Sequence, residues 1–392
     1  MYEEIMSQVH DRSLGNSEKY QLRQQLFKTE DVLPMWVADM DIVTPPFIAK
    51  AVSERVQNPI YGYEMMPESA YEAQIAWMQR RHSLHVKREW MFYSPSVVAS
   101  INLSIQAFTE PGDKIIVQTP VYFPFMSSIT NNERCIIRNP LKEDERGDYT
   151  FDLEDLKSKI DKDTKLLLLC SPHNPVGRVW KKEELLALGE ICLENDIKVF
   201  ADEIHSDLVF DGYKHTPFSS LSDEIRDITI TAIGPGKTFN LAGLAISTLV
   251  IADKIMHNDF EKVYKAVHFA EGTVFGHVAF ESAYKQGDIW IDELMQYLSY
   301  NIQLLEDMLK KHPNTLTCKH PQGTYLLWID CRALGLSDKA LRELFIKKGK
   351  LGLSPGTSFG KEGSGFMRMN IAVPLETMQE ALKRLHQILE LL

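Results

Sequence analysis

Between Asp227 and Asp253 the chain reads ITITAIGPGKTFNLAGLAISTLVIA, and Lys237 is the only charged residue in that stretch. An amine kept in apolar surroundings loses its preference for the charged form, which makes it a better nucleophile and proton carrier. Two further apolar runs end on polar chemistry. KLLLLC (165–170) leads into SPHNPVGRVW, which offers Asn174, and IKVFA (197–201) leads into DEIHSDL, which offers Asp202 and His205. In open parallel sheets, ligands sit outside the carboxyl ends of the strands. Upstream, YSPS (93–96) precedes VVASINLSIQAF, with Val97, Ile101, Ile105 and Phe108 at helical spacing. Ser96 is placed there as an N-cap, and a helix start with free N–H groups is an anion cradle.

Each feature has an ordinary explanation when taken singly. Asn-Pro is a common turn, Asp after a strand is a common cap, and most lysines are solvated. Together they suit pyridoxal phosphate. Lys237 would form an imine with its aldehyde, and Asp202 would keep the pyridine nitrogen protonated so that the ring accepts electrons. Asn174 would donate to the phenolic oxygen, and the helix start at Val97 would take the phosphate.

The elements that must position these residues follow from periodicity. Strands are expected at 114–118, 165–170, 197–201, 228–233 and 248–251, with an amphipathic helix at 183–195. Strands alternating with helices predict a mostly parallel sheet covered on both faces. The end of the chain reads differently: strands at 324–329 and 365–371, and helices at 337–348 and 375–391, the last with Leu375, Met378, Leu382, Leu385 and Leu389 on one face. The resulting partition is a large α/β domain over 42–286 and a small α+β domain from 1–41 and 287–392. A length of 392 residues fits two domains. No Gly/Ser linker separates them, so they are expected to pack closely.

Composition narrows the class. The formal charge is −11, which argues against nucleic acid or an anionic membrane as main partner. The first twenty residues carry acids early and lack an apolar signal core, and Gly-Pro-Gly, Lys237 and Asn240 interrupt the apolar stretch that might otherwise span a membrane. Five scattered cysteines without C-x-x-C read as reduced thiols in a cytoplasmic protein. No metal site is expected.

With these residues in view, the chain resembles the fold type I pyridoxal-phosphate enzymes, the aspartate aminotransferase superfamily, and within it the MalY/PatB-type cystathionine β-lyases. The resemblance covers nearly the whole chain. It rests on MWVADMD (35–41), YGY (61–63), PVYFPF (120–125), CSPHNPVGRVW (170–180), DEIHSDL (202–208), GKTFNLAGL (236–244), GTYLLWID (323–330) and FMRMNIA (366–372). It implies a large domain with a mostly parallel sheet of the seven-stranded type and a smaller α+β domain. It also implies catalytic roles for Lys237, Asp202 and Tyr122. Lys237 becomes the Schiff-base lysine, Asp202 the pyridine-nitrogen partner and Asn174 the contact to the phenolic oxygen. Tyr122 stacks on the ring, and the amides of Val97 and Val98 hold the phosphate. Tyr61 is implied to reach the neighbouring subunit's site, hence a homodimer with shared active sites. Arg368 grips the substrate α-carboxylate, with Asn174, Tyr61 and Ala38 beside it, a task that suits a bidentate guanidinium. His205 stands where many relatives carry a tyrosine near the ring oxygen.

Two positions depart from the family pattern. Gly236 replaces the usual Ser before the lysine, and Ser96 replaces the usual Gly after Ser-Pro. Thr231 and Thr238 are candidates to replace the hydroxyl missing at 236. The resemblance implies carbon–sulfur β-elimination from cystathionine, cysteine or a related L-amino acid. Its rivals are an aminotransferase using the same residues and a cofactor-bearing regulatory protein that acts by protein contacts. Aminotransferases of this superfamily commonly carry an arginine a couple of turns after the lysine, and Ala245 and its neighbours offer none.

Overall fold

The computed structural model describes residues 2–269 and 272–391. Its main sheet has seven strands: β1 (Met91–Ser94), β2 (Lys114–Thr119), β3 (Cys135–Pro140), β4 (Thr164–Cys170), β5 (Lys198–Asp202), β6 (Thr229–Ile233) and β7 (Ser247–Ile251). Their spatial order is β1-β7-β6-β5-β4-β2-β3. The pairs β6/β5, β5/β4, β4/β2 and β2/β3 are parallel, while β7 runs antiparallel to both β1 and β6. The sheet is therefore mostly parallel, with β7 the reversal. The five expected strands of this sheet, β2 and β4–β7, agree with the observed ones to within a residue or two at their ends, while β1 and β3 are not among those the periodicity predicts.

The continuous apolar runs are explained by two cores. Leu166, Leu168 and Cys170 pack on one face with Val117, Phe200, Ile230 and Ala232, beneath the helix Val97–Phe108. Leu167 and Leu169 pack on the other with Ile116, Val199 and Ala201, beneath the helix Lys182–Glu194. A strand buried on both faces has no polar face to show, so its alternation is invisible in its sequence. Burying one such leucine stabilises by about 1.5–3 kcal/mol.

A second sheet of four antiparallel strands has the order β8 (Thr317–Cys318), β9 (Leu326–Asp330), β11 (Phe366–Asn370), β10 (Ser354–Pro355). The helix Leu375–Leu389 buries Met378, Ala381, Leu385, Ile388 and Leu389 against a core that also takes Trp290, Ile291, Leu294 and Leu298 of the helix Asp288–Leu309. Near the start of the chain, Leu33–Pro34 pairs in parallel with Leu351–Gly352. Beyond Pro34 the chain leaves regular structure and runs as a strap, residues 36–42, across the carboxyl ends of the main sheet.

Candidate active site

The strand ends deliver the chemistry. Cys170 ends β4, and the following turn is pinned by Trp180, whose indole N–H donates to the Cys170 carbonyl at 3.0 Å. Gly177 in that turn has φ +69, and a Cβ on it would come within 2.9 Å of Pro321, so only glycine fits. The turn sets Asn174, which is buried, at the cavity. Asp202 ends β5, directly paired with Cys170 in the ladder. After β6, Gly234 turns the chain into a short helix, Pro235–Thr238, that carries Lys237. A Cβ at Gly234 would sit 2.9 Å from that of Ser247, so the close approach of this turn to β7 also requires glycine.

These residues meet at one cavity. Its walls include Ala38, Ser96, Val97, Val98, Tyr122, Cys170, Asn174, Asp202, His205, Gly236, Lys237 and Ser247. Ser96 is the N-cap of the helix Val97–Phe108, its hydroxyl accepting from the Ala99 N–H at 3.1 Å. The N–H groups of Val97 and Val98 lie in the first turn and have no intrahelical acceptor. The Ser96 departure is thus accommodated, since its backbone is extended (φ −167) and its side chain caps.

The electrostatics are unusual for a stable interior. Burial raises the Asp202 carboxyl to about 7, and its Oδ1 accepts from the Ile204 N–H at 3.2 Å. Burial lowers the Lys237 ammonium to about 8. Its Nζ donates to the Ala38 carbonyl at 2.5 Å, which also accepts from the Tyr325 hydroxyl at 2.9 Å. Arg368, on β11, is 4 % exposed, and burial lowers it to about 10. It donates to Asn174 Oδ1 at 3.0 Å, to the Trp36 carbonyl at 2.7 Å and to Ser354 Oγ at 3.4 Å, and it lies 4.6 Å from the Phe359 ring centroid. Among the described residues no carboxylate pairs with it, and its Nε has no partner. Because Asn174 Oδ1 is taken by Arg368, the amide NH₂ is the donor left for a ligand. His205 is buried, with burial holding its imidazole far below its usual value and therefore neutral. Its Nδ1 has no hydrogen-bond partner.

Two expected residues lie elsewhere. Thr231 does not line the cavity: Ile230 and Ala232 pack into the core beneath the helix Val97–Phe108, so strand alternation turns Thr231 to the other face of the sheet, where its hydroxyl bonds Ser219 Oγ at 3.2 Å. Thr238 is likewise committed, donating to Asp207 Oδ2 at 2.8 Å. Neither supplies the hydroxyl missing at Gly236. A Cβ at 236 would meet only Ala242, at 3.7 Å, so packing leaves room for a side chain there. Tyr61 is outside the cavity of its own chain, on an exposed loop, its ring 5.3 Å from that of Phe275.

Sequence reasoning passed over Tyr325, Ser247 and Asp207. Asp207 accepts from Trp77 Nε1 at 2.9 Å as well as from Thr238, and lies 2.7 Å from His82 Nε2, so it braces the lysine helix from behind. Its position within DEIHSDL was a signal, but nothing there indicated which partner it would meet. Ser247 sits in an apolar strand, and Tyr325 in TYLLWI is an isolated hydroxyl that burial obliges to find an acceptor.

Residues 32–385 match the model of the family aminotransferase class I and II. The chain belongs to that family. It is 44% identical over 370 residues to cystathionine beta-lyase PatB of Bacillus subtilis (strain 168), covering 94% of this chain and 95% of the relative. Among solved structures it superposes on cystalysin of Treponema denticola, which contains a pyridoxal 5'-phosphate cofactor, with a TM-score of 0.95 and 36% identity over 98% of each chain. The PLP-bound C-S lyase of Staphylococcus hominis gives a TM-score of 0.89 and 30% identity, again over 98% of each chain.

Proposed function

We propose that this protein is a pyridoxal-phosphate-dependent carbon–sulfur β-lyase acting on cystathionine, cysteine or a related L-amino acid. The observation that carries the reading is three ionisable side chains at one cavity, none ion-paired among the described residues: half-buried Lys237 and buried Asp202 in its wall, and buried Arg368 bonded to the wall residue Asn174. Buried charges without partners are costly, and they are kept where a ligand supplies the partner.

The donor set fits the cofactor. Lys237 would hold its aldehyde carbon, Asp202 its ring nitrogen, Asn174 Nδ2 and His205 its ring oxygen, and Ser96, Val97, Val98 and Ser247 its phosphate, with Tyr122 offering aromatic surface. When bound, pyridoxal phosphate supplies an aldehyde for an amine and a cationic ring that accepts the electron pair released at Cα. The chain's residues do the rest. Arg368 receives the substrate α-carboxylate and so fixes which bond at Cα faces Lys237. The Lys237 amine, with its affinity for protons lowered by burial, takes the Cα proton at Nζ. The Cβ–S bond then breaks and the sulfur leaves as thiol. With one water consumed, the remaining three carbons and nitrogen end as pyruvate and ammonia.

Three coarser readings accompany this. The working unit is a homodimer: Ile60, Tyr61, Tyr63 and Met65 expose apolar surface on one loop, as expected of a segment covered by a second copy. The chain divides into a large domain, 42–286, and a small one, 1–41 with 287–392. It works in the cytoplasm, in keeping with its five free cysteines; among the described residues no helix is long and apolar enough to cross a membrane.

The test is release of thiol from cystathionine by the cofactor-loaded protein. Lys237→Ala should lose about 10³-fold or more in rate, together with the visible absorption of the bound cofactor. A variant that keeps both would remove Lys237 from the reaction.

A further inference from the structure

The strap at residues 36–42 has carbonyls that no sheet satisfies. Side chains from distant parts of the chain take each from Trp36 to Met40. The Trp36 carbonyl accepts from Arg368, the Val37 carbonyl from Asn370 at 2.6 Å, and the Ala38 carbonyl from Lys237 and Tyr325. The Asp39 carbonyl accepts from Asn370 at 2.5 Å and Lys19 at 3.1 Å, and the Met40 carbonyl from Asn240 at 3.0 Å and Arg12 at 3.1 Å. A backbone held this way is as well placed as the side chains that hold it.

Two of those side chains also form a four-charge clamp. Lys19 is fully buried, with Nζ 2.9 Å from Asp39 Oδ1 and 3.1 Å from Asp41 Oδ1. Arg12 pairs with Asp39 Oδ2 at 2.5 Å and with Asp41 Oδ1 at 2.5 Å. The Lys19 carbonyl accepts from the Trp36 indole at 3.1 Å, closing the contact. The two cations and two anions sum to zero. Lys19 and Asp41 are buried while Arg12 and Asp39 are partly exposed, and a largely desolvated set of this kind gives little net stability over an apolar equivalent but fixes geometry.

We infer that Arg12 and Lys19 are positioning residues for the catalytic amine: by clamping Asp39 and Asp41 they hold the Ala38 carbonyl as the seat of Lys237 Nζ whenever that amine is not bonded to the cofactor. The inference rests on the reading of Lys237 as the catalytic lysine. The amine must be free while it carries the Cα proton, and a fixed acceptor keeps it within reach. Other groups face the same amine. Asp202 favours its charge, while Arg368 opposes it; Tyr325 shares its acceptor, and His205 is neutral. Asp39 is the largest of the charged influences and Lys19 a smaller one of opposite sign. The clamp therefore makes a prediction of sign that a merely structural role does not.

The experiment uses the full chain stripped of cofactor, with amine labelling of Lys237 followed by mass spectrometry over a series of pH. Asp39→Asn should move the Lys237 midpoint down, by about half a pH unit or more. Lys19→Met should move it up, and Lys19→Arg should restore it. Pyridoxal phosphate uptake, followed by absorbance, should shift along pH in the same two directions. Midpoints that do not move, or that move the same way in both variants while circular dichroism and melting show a folded protein, overturn the inference. If Lys19→Met does not fold, Asp39→Asn decides alone. A wild-type protein that takes up no cofactor at Lys237 would instead overturn the site reading; normal uptake with unshifted variants overturns only the clamp.

Discussion

The wall of the cavity built from strand ends and the wall built from residues 36–42 are held by different means. On the strand side, Asn174, Asp202 and Lys237 follow β4, β5 and β6, whose places are set by backbone ladders between two apolar cores. On the strap side residues 36–40 form no ladder, and the Val37 and Asp39 carbonyls, which flank the Ala38 carbonyl facing Lys237, are held by side chains as far apart as Lys19 and Asn370. A ladder is made from local pattern. A strap is made from contacts between distant positions, each of which is an ordinary polar residue until its partner is known.

The two walls meet at Arg368, which donates to Asn174 on one side and to Trp36 on the other. Arg368→Ala should therefore have the largest effect of those that sharpen the comparison. It removes the anchor for the substrate carboxylate and both cross-links, and kcat/KM should fall about 10²–10³-fold. Steady-state kinetics would show it, with cofactor content unchanged as the control.

Asn370→Ala breaks the strap alone. Its amide serves the Val37 and Asp39 carbonyls, and its Oδ1 accepts the Ala372 N–H at 2.8 Å. Leaving these buried groups unpaired should cost about 2–4 kcal/mol, read by denaturant unfolding. An equal loss of stability from Asn174→Ala, on the strand side, would erase the distinction between the walls.

Asp202 tests the strand side by pH. Its folded carboxyl is raised to about 7 from an ordinary value of 3.8. Between those values the folded state holds a proton that the unfolded state has lost, so this group's contribution falls as pH rises from about 4 to about 7. Cofactor-free protein should lose melting temperature across that window, and Asp202→Asn should flatten the slope. The loaded protein, with a cation opposite the carboxylate, should not show the loss.

The smallest expected effect is at Gly236, where the sequence resemblance leads one to expect serine and the structure leaves room for a side chain. Gly236→Ser should fold normally and bind pyridoxal phosphate about 5-fold more tightly, the worth of one hydrogen bond, as measured by equilibrium dialysis.

The pattern of what was legible follows the same division. Strand ends, the Ser96 cap and the lysine turn could be placed from sequence because periodicity, capping chemistry and glycine each act over a few residues. Thr231 was misassigned because a strand buried on both faces hides its alternation; only the packing of Ile230 and Ala232 shows which side it takes. Thr238 was misread because its partner, Asp207, lies 31 residues away. The strap was recognised as a motif, MWVADMD, without its purpose. That purpose resides in carbonyl groups, and a sequence of side chains does not report where a carbonyl points.

The central claim is that this site eliminates sulfur from an amino acid. It is tested most directly by incubating the loaded protein with L-cystathionine, with and without an added keto acid, and measuring thiol, pyruvate and ammonia together. The account predicts equal amounts of all three products without keto acid, and no gain from adding it. Turnover only in the presence of a keto acid, with no thiol released from cystathionine or cysteine, would contradict it.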